Sequence, residues 1–164
     1  MGNLLENIDE TSMDTLKNRY LTFLIDKETF GIEIRYVMEI IGIQAITEMP
    51  EMPEYVKGII NLRGKIIPVM DIRIRFKKAP KDYDDRTCVI VIDYDGLATG
   101  FIVDSVSEVM TIPESEVMDR PSMSAGENRG YVSKIGKANG NVILLLDCGK
   151  LLNTQEFDDL LSAL

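Results

Sequence analysis

A chain of 164 residues is long enough for one compact domain whose hydrophobic core needs no metal or disulfide to fold. It contains no histidine, which removes the commonest general base and the commonest metal ligand, so the composition argues against an enzyme and against a metal or cofactor site. The net charge of −9 argues against a nucleic-acid-binding protein, because such proteins usually carry a basic excess.

The apolar runs are short compared with the roughly 20 residues that span a bilayer. The first ten residues, MGNLLENIDE, are acidic and lack the basic and apolar regions of a secretory signal. We therefore expect a cytoplasmic protein that does not insert into a membrane. The two cysteines, Cys88 and Cys148, lie in or beside apolar runs, where free cysteines behave as small buried hydrophobic residues.

The first elements follow from local pattern. Residues 1–16 are polar and acidic and predict a flexible N-terminal tail. Two β-prone runs, 20–25 and 30–34, flank a polar turn and predict a hairpin. Apolar residues at helical spacing predict a short helical turn over 35–41. A second short helix is expected over 54–62, just past a proline-containing stretch.

The segment 66–76 predicts a long strand. Its second part alternates apolar and basic residues, which indicates one buried face and one exposed face. The turn before it carries Arg63, whose guanidinium offers a fixed fork of hydrogen-bond donors. Two interpretations of Arg63 stay open: an internal clamp on a loop, or a group that binds a carboxylate or carbonyl of a partner.

The charged segment 77–86 is the best internal boundary, and the same pattern of elements then repeats. The second series consists of strands at 87–92 and 98–103, a helical turn at 105–110, a last core strand at 142–146 and a C-terminal helix over 154–164 that Asn153 can cap.

Matched spacings indicate an internal duplication. One set of four positions recurs 69 residues later, and a second set recurs 76 residues later. The pairs are Gly31 and Gly100, Val37 and Val106, Glu39 and Glu108, Ile40 and Val109, then Tyr55 and Tyr131, Val56 and Val132, Gly64 and Gly140, Asp71 and Asp147. We therefore expect one domain over 17–153 made of two antiparallel β-barrels of about five strands each, formed by the halves 17–84 and 85–152. A groove at the seam between them is the default place for a ligand or partner.

Two features leave other functions open. Seven basic residues lie within the nineteen residues from Arg63 to Lys81, which suits solvated strand faces, a docking face for an acidic protein, or a small β-barrel nucleic-acid-binding module. Glu39 and Glu108 would allow carboxylate chemistry if they approached each other across the seam.

The run GIINLRGKIIPVMDIR, residues 58–73, resembles the signature of the CheW-like family of bacterial chemotaxis adaptors. The likeness extends to Phe30-Gly31-Ile32, to 37–40, to 100–104 and to the ending from Leu145 to Leu152. The same fold forms the regulatory domain of the kinase CheA and the front part of CheV, and the chain length favours the stand-alone adaptor. The resemblance implies a mainly β fold of two packed SH3-like five-stranded barrels with short helices and a C-terminal helix, and no catalytic activity.

The resemblance also implies partners. Members of the family bridge the cytoplasmic tips of chemoreceptors, the methyl-accepting chemotaxis proteins, to the histidine kinase CheA in membrane-associated arrays. The regulatory domain of the kinase is expected on the first subdomain, with no residue assigned. A non-flagellar chemosensory pathway is the alternative setting. Receptor contacts carried over to this chain are Val37, Glu39, Ile40, Gly58, Arg63, Thr87, Cys88 and Val106, and Cys88 departs from the aliphatic residue expected there.

Overall fold

The computed structural model describes residues 16–120 and 130–152. The predicted helix over 154–164 and all of the predicted tail except Leu16 lie outside these residues. Within them, the elements in chain order are β1 (Arg19–Ile25), β2 (Glu28–Glu33), a 3-10 turn (Ile34–Tyr36), β3 (Val37–Gly42), β4 (Val56–Leu62), β5 (Lys65–Asp71), helix α1 (Ile72–Arg75), β6 (Cys88–Tyr94), β7 (Leu97–Val103), β8 (Ser105–Thr111), a 3-10 turn (Glu114–Glu116), β9 (Val117–Asp119), β10 (Val132–Ala138), β11 (Asn141–Leu146) and helix α2 (Cys148–Leu152).

The strands form two sheets. The first subdomain is a five-stranded sheet with the order β3-β6-β7-β5-β4, and the second subdomain is a six-stranded sheet with the order β8-β1-β2-β11-β10-β9. The mainly β class predicted from the sequence is confirmed. The second sheet contains one strand more than expected, because the short strand β9 adds to the edge of β10.

Each sheet contains strands from both sequence halves, which corrects the expected division of the subdomains at residues 84 and 85. The opening hairpin β1–β2 belongs to the second subdomain, and the hairpin β6–β7 belongs to the first. The two halves therefore exchange their opening hairpins. The sequence could not show this exchange, because the duplicated hairpins carry the same pattern and either copy suits either sheet.

The exchange explains two matched glycines. Gly31 in β2 pairs with Leu145 in the parallel β2–β11 ladder, and Gly100 in β7 pairs with Val69 in the parallel β5–β7 ladder. A Cβ atom at either glycine would lie 2.9 Å from the side chain of its partner. Equivalent positions of the duplication thus require glycine for the same reason, which is close packing of a donated hairpin.

A backbone bridge closes the edges of the first subdomain. After β3 the chain crosses to β4, where Thr47 and Ile59 exchange two N–H···O hydrogen bonds of 2.9 Å. Gly58, beside the bridge, has a φ of +145°, and a Cβ atom there would lie 2.1 Å from the Thr47 carbonyl oxygen. Only glycine permits this approach of the two backbones.

Buried apolar residues form three clusters. One lies in each subdomain, and the largest, called here the central core, contains residues of both sheets. Alternation along β6 shows the arrangement: Ile90 and Ile92 belong to the central core, whereas Val89 and Val91 belong to the cluster of the first subdomain. Both faces of β6 are therefore buried, and the central core joins the two subdomains.

Three predicted helical segments are wrong. Residues 35–41 cover the end of the 3-10 turn Ile34–Tyr36 and most of β3, residues 54–62 include all of β4, and residues 105–110 lie within β8. Half-buried and exposed residues alternate along β3, which is the period of an edge strand. Over so short a stretch, the spacing of the apolar residues does not distinguish the period of a helix from that of a strand. Pairing with β6 makes the segment a strand.

The predicted long strand over 66–76 ends early. It stops at Asp71, whose carboxylate accepts a 3.3 Å hydrogen bond from the Ile74 N–H and begins α1. Ile72 and Phe76 are four residues apart and both fully buried, so they share the inner face of the helical turn. Arg73, expected on an exposed strand face, is buried instead.

Candidate functional site

Arg63 and Glu39, both predicted site residues, form a two-pronged ion pair. Arg63 lies in the turn between β4 and β5 at a φ of +54°, followed by Gly64 at +84°, whose N–H donates to Asn61 Oδ1 over 2.8 Å. The Nη1 and Nη2 atoms of Arg63 donate to Oε1 and Oε2 of Glu39, each over 2.8 Å. The turn geometry fixes the start of the arginine side chain, and edge strand β3 supplies the carboxylate.

The ion pair keeps Glu39 charged. The hydrogen bond from Arg63 lowers the pKa of the Glu39 carboxyl, and the same bond raises the pKa of Arg63. Both groups remain accessible to water, so the pair contributes geometry more than stability. The guanidinium is the more exposed partner, and its outer side faces solvent.

Three exposed apolar residues lie near this ion pair along the chain. Met38 and Ile40, the neighbours of Glu39 on β3, are 54% and 43% exposed, and Ile66, three residues after Arg63, is 54% exposed. We call these five residues the β3 surface. Successive side chains on a strand point to opposite faces, so Ile40 and Glu39 lie on opposite faces of β3. Exposed apolar residues on an edge strand are typical of surfaces that bind another protein, and methionine makes such a surface adaptable.

Three other predicted residues lie at the margin of the central core. Val37, Cys88 and Val106 are half-buried and pack against it. Val37 pairs with Ile92 at one end of the β3–β6 ladder and Cys88 with Gly42 at the other, so Val37 and Cys88 lie about 13 Å apart along β6. Val106 lies on β8, so it adds a residue of the second subdomain to this margin.

The remaining two predicted residues are held in the backbone framework. Gly58 is buried beside the Thr47–Ile59 bridge. Thr87 is buried, its hydroxyl accepts from the Asp84 N–H over 2.9 Å, and its N–H donates to Asp84 Oδ1 over 3.2 Å. Their positions suit the shaping of the surface rather than direct contact with a partner.

Sequence reasoning missed Ile66 as a surface residue. Ile66 opens the apolar run of the predicted strand 66–76, a pattern typical of a buried strand. Ile66 pairs with Asn61, next to the turn, where the sheet is no longer covered. Its counterpart in the duplication, Val142, is 55% exposed at the same place in the β10–β11 hairpin. Comparing the tips of the β4–β5 and β10–β11 hairpins identifies Ile66 and Val142 as exposed residues.

The structure does not support the two alternative functions, which are carboxylate chemistry by Glu39 and Glu108 and nucleic-acid binding by the basic run. Glu39 is engaged by Arg63, while Glu108 lies on β8 in the other sheet. The basic run from Arg63 to Lys81 is largely engaged as well: Arg63, Arg73 and Lys78 form ion pairs with carboxylates, and Arg75 lies between two tyrosine rings. Residues 16–120 and 130–152 contain no group of three or more side chains arranged to hold a metal ion.

A cavity of about 710 Å³ lies in the second subdomain and includes none of the predicted site residues. Charged side chains that line it form ion pairs with one another: Arg35 pairs with Glu33 at 2.9 Å, and Lys17 pairs with Glu114 at 3.5 Å. The β3 surface and the margin of the central core therefore remain the candidate site.

The sequence profile of the CheW-like domain matches residues 19–156. The chain belongs to the CheW-like domain family. It is 30% identical over 152 residues to the chemotaxis protein CheW of Klebsiella aerogenes, covering 93% of this chain and 92% of that protein. The chemotaxis protein CheW of Thermotoga maritima is 31% identical over 145 residues, covering 87% of this chain and 93% of that protein.

A solved structure agrees with this assignment. The scaffolding protein TtCheW of Thermoanaerobacter tengcongensis is similar with a TM-score of 0.79 and 32% identity, covering 85% of this chain and 94% of that one. The predicted CheW-like fold with two SH3-like subdomains is thereby confirmed. In the part of the chain that the structure describes, no helix has the length and apolar character needed to cross a membrane.

Proposed function

We propose that this chain is a non-catalytic adaptor that couples chemoreceptors to the histidine kinase CheA in bacterial chemotaxis signalling. The observation that carries the proposal is the β3 surface, an exposed ion pair together with exposed apolar side chains on and beside an edge strand, on a chain that belongs to the CheW-like family. The chain is expected in the cytoplasm, recruited to membrane-associated receptor arrays. A receptor array of a non-flagellar pathway would offer the same docking chemistry.

The apolar residues of this surface suit a helical partner such as the tip of a receptor hairpin. Ile40 and Met38 stand on one edge strand and present apolar area that a partner helix can bury. The exposed guanidinium of Arg63 would orient a partner that also reaches it, because an imperfectly matched charge would be desolvated without compensation. Burial of apolar surface then supplies the affinity, and the ion pair orients the partner.

The margin of the central core extends the contact to the second subdomain. Val37 and Cys88 belong to strands of the first subdomain, and Val106 belongs to the second. A receptor helix that lies along the seam would bury all three half-buried side chains. The kinase regulatory domain would bind elsewhere on the first subdomain, so both partners can be held at once.

The experiment is calorimetric titration of the full chain with a receptor cytoplasmic tip fragment and, separately, with the regulatory domain of CheA. We expect both to bind. Ile40→Asp should weaken receptor binding by about tenfold or more, because it places a charge on an apolar contact. Val109→Asp is the matched control, since Val109 is the counterpart of Ile40 and is 41% exposed. Binding of the wild-type chain to neither partner would overturn the proposal.

A further inference from the structure

Helix α1 is anchored in the core that joins the two subdomains. It follows β5 of the first subdomain, and Ile72 and Phe76 insert into the central core with no exposed surface. Two arginines, Arg73 and Arg75, stand on the remaining sides of this short helix. Each of them contacts the second subdomain, at different places.

Arg73 binds the tip of the donated hairpin. Its side chain is only 10% exposed, and Nη1 donates to Asp26, in the turn between β1 and β2, and to Asp104 Oδ2 over 2.9 Å. Asp104 joins β7 of the first subdomain to β8 of the second. The Asp26 N–H also donates to Asp104 Oδ2 over 2.8 Å. A single guanidinium therefore binds both a second-subdomain turn and the chain segment that crosses between the sheets.

The same guanidinium holds the segment that links the two halves. Nε and Nη2 of Arg73 donate to the Ala79 carbonyl oxygen over 3.1 and 3.0 Å. All three guanidinium nitrogens thus have partners, as a buried charge requires. Lysine has one nitrogen and could not reproduce the fork.

Arg75 joins the two subdomains at a second place. Its guanidinium carbon lies 4.3 Å from the ring centroid of Tyr55 and 4.7 Å from that of Tyr131. Tyr55 precedes β4 in the first subdomain, and Tyr131 precedes β10 in the second. Nη2 also donates to the Leu151 carbonyl oxygen in α2 over 3.2 Å. The cation is held between two matched tyrosines of the duplication.

The duplicated helix does not repeat these contacts. In α2, Gly149 and Leu151 occupy the positions that match Arg73 and Arg75. In the described residues, both of these arginine contacts with the second subdomain come from α1, and Lys78, after the helix, adds ion pairs with Asp26 and Glu28 of the β1–β2 hairpin. Removing either arginine leaves no matched residue in the second half to replace it.

We infer that Arg73 and Arg75 are positioning residues that set the orientation of one subdomain relative to the other, and that a partner bound along the seam depends on this orientation. The inference rests on the proposed function for its partner and on the contacts of α1 for its geometry. A partner that contacts one subdomain alone should be indifferent to both arginines.

The test uses the full chain and two readouts. Residual dipolar couplings of backbone N–H groups are fitted for each sheet, and affinities are measured for a receptor tip fragment and for the regulatory domain of CheA. We expect one alignment tensor to fit both sheets of the wild type. In Arg73→Gln and Arg75→Leu each sheet should fit its own tensor while the common fit fails. Receptor affinity should fall by about tenfold, with less than about a twofold change for the regulatory domain.

Three further variants serve as controls. Lys17→Gln removes an ion pair with Glu114 inside the second subdomain and should change neither readout. Arg73→Lys should restore part of the receptor affinity, because it keeps the charge near Asp26 and Asp104. If Arg73→Gln does not fold, Asp26→Asn takes its place, since Asp26 lies in a turn and is half exposed.

The outcomes separate the two proposals. A common tensor in the folded arginine variants overturns the positioning role, whether or not any partner binds. Separate tensors with unchanged receptor affinity overturn the link to binding. A wild-type chain that binds neither partner overturns the proposed function, while the tensor comparison still decides how the subdomains are held.

Discussion

Arg63 and Glu39 join the β4–β5 turn to edge strand β3 through two parallel hydrogen bonds of 2.8 Å. Sequence reasoning left Arg63 either as an internal clamp or as a group that binds a partner. The ion pair supplies the clamp, and the exposed outer side of the guanidinium leaves the partner contact available. The two roles are compatible, and an exchange of the charges distinguishes them.

Arg63→Glu and Glu39→Arg should each weaken receptor binding, and the double variant should recover it only if the pair acts by positioning the turn. If Arg63 contacts the partner directly, the double variant stays as weak as the single ones, because the cation has moved to β3. The measurement is a double-mutant cycle of receptor affinity by calorimetry. Unfolding temperatures should change little in all three, since exposed ion pairs contribute little stability. Full receptor affinity in both single variants would contradict either role.

The pKa of the Glu39 carboxyl should lie below the ordinary glutamate value in the wild type and return toward it in Arg63→Gln, because the hydrogen bond from Arg63 favours the charged form. A carboxyl with a lowered folded-state pKa adds stability above its unfolded-state pKa, and this contribution disappears as the pH falls through the folded-state value. Carbon-detected NMR titration of the glutamate side chains measures the shift. An unchanged Glu39 pKa in Arg63→Gln would show that the ion pair does not form in solution.

Individual residues show which features of the fold could be predicted from the sequence. The two hairpins, the duplication and the last core strand were predicted from alternation and turn residues, and the structure confirms them. Val37 was assigned to a helical turn because three apolar residues have the same spacing on a short helix and on a bulged strand. The β3 strand has a register shift between Val37 and Glu39, so its pairing with β6 is irregular at this end although burial alternates along the strand.

The site could be predicted only in part, because its contacts join residues that lie far apart in the sequence. Family likeness supplied Glu39 and Arg63, but their direct contact depends on how β3 bends toward the β4–β5 turn, which no local pattern encodes. Arg73 was placed on an exposed face because alternation with isoleucine suggested a strand. Its burial follows from the cap at Asp71 and from Asp26, a residue 47 positions away. Contacts of such separation are set by topology.

The two cysteines should differ in reactivity. Burial raises the pKa of the Cys148 thiol to about 12, so almost none of it is thiolate at neutral pH, whereas Cys88 is only half-buried at the margin of the central core. One thiol per chain should react with a disulfide reagent at pH 8 in the native state, and two after unfolding in denaturant. Cys88→Ser should abolish the native reaction, and Cys148→Ala should leave it. Native labelling of Cys88→Ser would mean that Cys148 becomes exposed by local opening.

Gly58→Ala should be much more destabilising than Gly96→Ala, although both glycines have a positive φ. At Gly96, in the β6–β7 turn, an added Cβ atom meets nothing within 4 Å, so the cost is backbone strain of about 1–2 kcal/mol. At Gly58 the Cβ atom would lie 2.1 Å from the Thr47 carbonyl oxygen, which must break the Thr47–Ile59 bridge. We expect a further loss of about 1–3 kcal/mol from that bridge, measured by urea denaturation.

The same pair of variants bears on the receptor site. Gly58 was carried over from the family as a contact residue, yet its position explains a loss of binding without any contact. Opening the bridge frees the segment after β3 and should displace Ile40 and Glu39 from the β3 surface. Gly58→Ala should therefore weaken receptor binding and increase hydrogen exchange of the Ile59 N–H together, while Gly96→Ala changes neither. Weakened binding with full protection of Ile59 would instead assign Gly58 to the contact itself.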